Sequence, residues 1–252
     1  MSLMVTHISK FGIVHATDGN LTTADGSAAG EAPKVFPVPF LNAALTVAGS
    51  YEVGSLSMDS WMRQFLQAQE LAKSATLEAF ARALAGALQA EMTQKQKAGG
   101  SMVHLAGYVQ DKDGSHPEFW FVRNIYTMDK VTGEYGDFRD EFQVSEDLWA
   151  RDWQGNSLAV LLPKGGYQIY INGFTSGRVS YMIVQSVMNQ FFQSVRSNPG
   201  WRFRPPASLE ESALIVELYI RTIGVLFRIS DYSAPFIGGA PQIYSISAPG
   251  GP

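Results

Sequence analysis

The sequence predicts an α+β fold, a four-layer α/β/β/α sandwich in which two antiparallel sheets lie face to face with helices outside each. Three observations predict it. Short β-rich runs come in pairs separated by turn residues, the pattern of antiparallel hairpins. Amphipathic helical stretches follow each group of strands, again in pairs. No strand–helix–strand unit repeats along the chain, so a doubly wound parallel sheet is disfavoured.

Residues 5–18 (VTHISKFGIVHATD) read as two short strands around a tight turn at Ser9-Lys10-Phe11-Gly12, because Val, Ile and Thr are enriched and a glycine follows the turn. Residues 19–33, rich in Gly, Thr, Ala and Ser, read as a loop. A second hairpin pairs Lys34–Val38 with Ala43–Ala48, and Pro37 and Pro39 confine its first arm to a sheet edge. Met58, Trp61, Met62 and Phe65 recur at helical spacing. Leu77, Phe80, Ala81, Leu84, Leu88 and Met92 form a clearer stripe, closed by Gly99-Gly100.

Strands return at Met102–Gln110 and Phe119–Tyr126, flanking Asp111-Lys112-Asp113-Gly114-Ser115-His116. Asp-Gly between β-rich runs is a hairpin signal, and the other loop ligands of a calcium site are missing, so a plain turn is expected. Residues 127–157 show no dominant period. Leu158–Leu162 and Tyr167–Ile171 read as strands around Pro163-Lys164-Gly165-Gly166. Val179–Val195 reads as a helix with Tyr181, Val184, Val187, Met188 and Phe191 on one face, stopped at Asn198-Pro199-Gly200; Met182, Met188, Phe191 and Phe192 are expected in the core. Gly173-Phe174-Thr175-Ser176-Gly177 before it lacks the lysine of a phosphate loop and reads as a turn. Ser208-Leu209-Glu210-Glu211 is a capping-box pattern opening a helix to about Arg228, which is apolar nearly all round and is expected to be buried. Gln242–Ile246 is a last strand. Residues 1–247 are expected to form one domain, with a flexible tail at 248–252.

Composition narrows the function. The chain has 252 residues, 46% hydrophobic and 17% charged, enough apolar content for a sizeable core. The net charge is −4 and no Lys/Arg block is present, which argues against a nucleic-acid partner. There is no cysteine, so neither disulfides nor thiolate chemistry enter. No apolar run reaches the length of a membrane span and no secretory signal is visible, so a cytoplasmic location is expected.

Three local features carry a resemblance. Phe11-Gly12-Ile13-Val14-His15-Ala16-Thr17-Asp18 is a strand that follows a glycine turn and ends in an aspartate. Lys34 lies sixteen residues beyond Asp18, and Val47-Ala48-Gly49-Ser50 follows. Asp231-Tyr232-Ser233 precedes Ile237-Gly238-Gly239-Ala240-Pro241-Gln242-Ile243. In this order the chain resembles the N-terminal-nucleophile hydrolase superfamily, and within it the proteasome β-type subunits. The resemblance in element order covers nearly the whole chain.

The resemblance implies a first-residue hydroxyl as nucleophile, with its own α-amine as base. In the family's register that position is Ser2. Lys34 would supply positive charge beside the hydroxyl, Asp18 would hold Lys34, the N–H near Gly49 would stabilise an oxyanion, and Asp231 and Ser233 would orient the amine. The implied activity is amide or peptide bond hydrolysis, without cofactor or metal. Met1 precedes Ser2, and a second methionine, Met4, offers an alternative start that would leave no hydroxyl at the head. Thr6, the next hydroxyl, lies about 13 Å further along a strand.

The alternatives are a catalytically silent, self-assembling structural subunit and a small-ligand binding protein. A homo-oligomer is expected. His7 and His15 read as structural or surface histidines, since His104 and His116 belong to a hairpin distant in sequence and no third metal ligand is evident.

Overall fold

Val, Ile and Thr bring the chain into a hairpin at once: β1 (Met4–Ser9) and β2 (Gly12–Thr17) pair antiparallel around Lys10-Phe11. The computed structural model describes residues 2–23, 27–73, 76–112, 114–125, 138–146, 162, 166–173, 186, 189–191, 193–195, 197, 200, 204–229 and 237–250. Segment 19–33, expected as a loop, holds a small hairpin of its own, β3 (Asn20–Thr22) with β4 (Ala28–Glu31). The second expected hairpin forms as β5 (Val35–Val38) and β6 (Ala43–Gly49), joined through a 3₁₀ turn at Pro39–Leu41 with Asn42 in the left-handed region. A minor pair follows, β7 (Glu52–Val53) with β8 (Leu56–Ser57).

Helix α1 spans Met58–Leu71 and α2 Leu77–Glu91. The expected run to Gly99 is broken at Met92-Thr93, because Thr93 and Gln96 form a reciprocal capping box that starts α3 (Gln94–Ala98). Strands β9 (Ser101–Asp111) and β10 (Gly114–Ile125) make a long hairpin in which Asp111 pairs with Gly114, so the ladder runs further than the six-residue turn expected. Where no element was legible, β11 (Phe138–Glu146) adds to β10. Then come β12 (Tyr167–Asn172), α4 (Leu209–Arg228) and β13 (Gln242–Ser247). The strand expected at Leu158–Leu162 lies outside the described residues except Leu162. So does much of the helix expected at Val179–Val195, although positions 186, 189–191 and 193–195 are helical. Phe191, expected in the core, is half exposed.

The protein is therefore α+β with antiparallel sheets. One sheet has the order β12-β1-β2-β13 and the other β11-β10-β9-β6-β5. Pro37 sits on the edge strand β5, where its missing N–H leaves no gap in the ladder. Three hydrophobic clusters organise these parts. Trp61, Phe65, Phe80, Leu84 and Leu88 of α1 and α2 pack on Leu45, Val103, Leu105 and Val122. Met4, Ile8 and Ile13 share a cluster with Ala44, Met102, Ala106, Phe119 and Phe121, so residues of both sheets meet there. Val5, Val14, Ala16 and Ile171 pack on Val216, Ile220, Ile223 and Phe227 of α4.

Helix α4 departs from the expectation of full burial. Val216, Ile220, Ile223 and Phe227 are buried, but Leu214, Val225 and, just beyond the helix, Ile229 are exposed. Its cap is also half of what the pattern suggests. Ser208 accepts the Glu211 N–H at 3.1 Å, whereas the Glu211 carboxylate turns to the Ala207 N–H and to a bidentate pair with Arg204. Among the described residues no helix is long and apolar enough to cross a membrane.

Candidate active site

The site forms where β2 ends and β5 begins. Asp18 follows β2 directly and Lys34 precedes β5 directly, so the two ends of this excursion fix both side chains. The Lys34 ammonium lies 3.4 Å from each Asp18 carboxylate oxygen. Asp18 is 0% and Lys34 1% exposed. A buried pair of this kind persists only if its remaining hydrogen-bonding capacity is met. Here Asp18 Oδ1 accepts the Leu3 N–H at 2.8 Å and Oδ2 the Gly238 N–H at 3.4 Å. Lys34 also donates to the Asn20 carbonyl.

The backbone on both sides is clamped. The Leu3 carbonyl accepts the Asp18 N–H at 3.3 Å, so Leu3 and Asp18 hold each other twice. The side-chain amide of Gln242 bridges the lysine segment: its oxygen accepts the Lys34 N–H at 2.7 Å and its nitrogen donates to the Ala32 carbonyl at 2.6 Å. Gly238 accepts the N–H groups of Gly19 and Asn20 at 3.0 and 3.2 Å.

Burial pushes the Lys34 ammonium below its ordinary range, and the Asp18 charge opposes that. Burial likewise lifts the Asp18 carboxyl, against the pull of Lys34 and of the Leu3 and Gly238 N–H groups. The arrangement is thus a costly, dry charge pair with a lysine whose proton is loosened, the kind of perturbation found at functional sites.

Ser2 adjoins this pair through Leu3. It is 5% exposed, and Leu3 is a buried member of the α4 cluster, so both belong to the folded domain. Gly173, at φ +107°, packs against Ser2; a Cβ there would lie 2.4 Å from the Ser2 carbonyl oxygen and 3.1 Å from Ala48 Cβ. The start of β1, the end of β12 and the end of β6 therefore converge on Ser2. Gly49 follows Ala48 at φ +106°, and a Cβ on it would meet the Gly100 carbonyl at 2.1 Å. That close approach alone demands glycine there. Asp231 and Ser233 lie outside the described residues.

Sequence reasoning missed Leu3, Asn20, Gly173 and Gln242. Gly173 had been read only as the start of a turn. The Leu3 N–H and the Asn20 carbonyl are backbone groups, which carry no side-chain signal.

The histidines differ from the sequence reading in one respect. His104, distant in sequence, stands beside the first hairpin, because β9 and β1 face one another across the cluster shared by the two sheets. Thr6 Oγ1 lies 3.0 Å from His104 Nδ1 and 3.4 Å from His15 Nδ1. His15 Nε2 is 3.2 Å from the Ala106 carbonyl and so carries the proton, which leaves its Nδ1 as an acceptor for Thr6. His104 Nε2 is 3.0 Å from Asn172 Oδ1. Burial lowers His15 to about 4 and His104 to about 3. A hydroxyl beside imidazole can be an activated nucleophile, but Thr6, His15 and His104 are all 0% exposed, and the imidazoles bond inward to Thr6, the Ala106 carbonyl and Asn172. The cluster is internal scaffolding. His116 is partly exposed, 3.9 Å from Glu118.

No protein-family model matches the chain, and no curated protein matches it.

Proposed function

We propose that this chain is an N-terminal-nucleophile hydrolase-like protein related to proteasome β-type subunits, with the four-layer α/β/β/α arrangement, and that it hydrolyses an amide or peptide bond. The observation that carries this reading is the buried Asp18–Lys34 pair held by the N–H of Leu3, one residue from Ser2. A buried pair is a poor device for stability, since a well-packed apolar replacement is often as good. One residue from the Ser2 hydroxyl, such a charge is placed to serve that hydroxyl.

Removal of Met1 by hydrolysis frees the Ser2 amine. The Ser2 oxygen attacks the substrate carbonyl carbon while its proton passes to that amine. Lys34 favours the developing alkoxide by its charge, and the N–H near Gly49 meets the oxyanion. The C–N bond breaks, the leaving amine takes the proton, and water hydrolyses the ester left on Ser2. In this reading Asp231 and Ser233 orient the amine.

Intact mass on protein lacking Met1, with an electrophile that traps N-terminal hydroxyl nucleophiles, tests this. A single adduct on Ser2, lost in Ser2→Ala and in Lys34→Ala, is the expected result. An unlabelled Ser2 with a free amine overturns the catalytic reading.

A second reading, a catalytically silent self-assembling subunit, is favoured by the apolar residues that α4 leaves exposed, Leu214 at 59% and Val225 at 55%. Native mass spectrometry distinguishes it: a defined homo-oligomer together with an unreactive Ser2 supports assembly without turnover.

A further inference from the structure

At the end of β1 opposite Ser2 the structure has a cavity of about 270 Å³ between the outer face of the four-stranded sheet and the start of α4. Its deep lining is polar. His7 is 1% exposed, Ser9 5% and Ser212 0%. Among the described residues His7 Nδ1 has no hydrogen-bond partner, and the atom itself has almost no accessible surface. An unpaired buried imidazole nitrogen costs free energy unless something supplies the missing bond. The mouth is different in kind. Phe11, Tyr167, Pro205 and Pro206 line it with flat apolar surfaces, and the exposed Lys10 brings an ammonium. The Tyr167 ring stacks on His7 at 5.3 Å and 26°. No carboxylate appears among the lining residues described.

Polar floor, flat apolar walls and a single cationic rim together describe a recognition site of a definite shape, since small-molecule sites are largely apolar with a few placed polar groups. Burial lowers His7 to about 4, so at neutral pH the imidazole is uncharged and hydrogen-bonds without attracting an anion to the floor. The negative end of a ligand belongs instead at Lys10.

We propose that this cavity binds a small planar aromatic carboxylate carrying a hydrogen-bonding head group, with the head at His7, the ring between Tyr167 and the prolines, and the carboxylate at Lys10. This site is separate from Asp18 and Lys34 and holds whether or not the chain is a hydrolase.

The probe is 4-hydroxybenzoate, with benzoate lacking the head and phenol lacking the carboxylate, titrated by calorimetry and by imidazole chemical shifts. We expect saturable binding of 4-hydroxybenzoate, about five- to tenfold tighter than either fragment, with the His7 resonances moving. His7→Leu then reduces 4-hydroxybenzoate to the level of benzoate, and Lys10→Ala, at an exposed position that leaves the fold intact, reduces it to the level of phenol. No saturable binding to the wild-type protein overturns the proposal. So does binding in which His7 does not respond and Lys10→Ala changes nothing.

Discussion

Two buried polar clusters adjoin the first hairpin, and they solve the same problem in opposite ways. Thr6, His15 and His104 stay uncharged, and their hydrogen bonds run between neutral groups inside the shared core. Asp18 and Lys34 are arranged as a charge pair, surrounded by N–H and carbonyl groups of Leu3, Gly238 and Asn20. Neutral imidazoles are the cheaper way to fill a polar pocket, since a buried charge must recover a desolvation penalty of several kcal/mol. The comparison sets a costly charge pair, which the proposed function assigns to Ser2, against a neutral cluster that fills the shared core.

Acid breaks the neutral side of this comparison most severely. His7 and His15 sit at about 4 and His104 at about 3, against an ordinary value of 6.5 in the unfolded chain. Their folded pKa values are depressed, so their contribution is fully present above the unfolded value. Below pH 6.5 the unfolded chain takes up protons first and stability falls, by up to about 1.4 kcal/mol per pH unit for each histidine. Urea unfolding from pH 7 down to pH 4 is expected to show a steep loss beginning near pH 6.5; a flat profile means the imidazoles are already solvated.

Lys34→Met breaks the charged side. It leaves Asp18 buried and unpaired, an expected loss of about 3–5 kcal/mol by denaturant unfolding. Adding Asp18→Asn, which keeps an acceptor for the Leu3 N–H, is expected to recover most of it while Ser2 labelling stays abolished. Stability that fails to recover in the double variant assigns the pair a structural role.

Smaller changes sharpen the contrast. Thr6→Val removes the hydroxyl between two imidazoles, and an expected cost of about 1–3 kcal/mol with Ser2 labelling unchanged separates packing from chemistry. Gln242→Ala loosens the clamp on the Lys34 backbone, with about 1–2 kcal/mol lost and labelling slowed. Leu214→Ser, on the exposed face of α4, is expected to change stability by no more than about 0.5 kcal/mol; a shift in native mass with that variant places the face in an assembly contact.

Much of the fold was legible because its signals are short-range. The Lys10-Phe11 turn between Val- and Ile-rich runs, Pro37 on an edge arm and Ser208 ahead of an apolar run each act within a few residues. Two weaker signals are also in the sequence. Thr93 and Gln96 are a capping box inside what reads as one helix. Phe142 and Val144 alternate with polar neighbours in β11, but Asp140 interrupts the period. Of the site, Asp18 with Lys34 was legible from spacing through the resemblance, whereas their dryness was not.

By itself the sequence determined the β1–β2, β5–β6 and β9–β10 hairpins and the start of α4 at Ser208, since turn chemistry, caps and hydrophobic period are local, while the pairing of Asp18 with Lys34 came only through the resemblance. Only the tertiary structure decided which groups surround them. Gly238 reaches Asp18 across 220 residues, Gln242 reaches Lys34 across 208, and Thr6 meets His104 across 98. Such contacts follow from how sheets stack and register, and no local preference encodes the partner that stacking brings into reach.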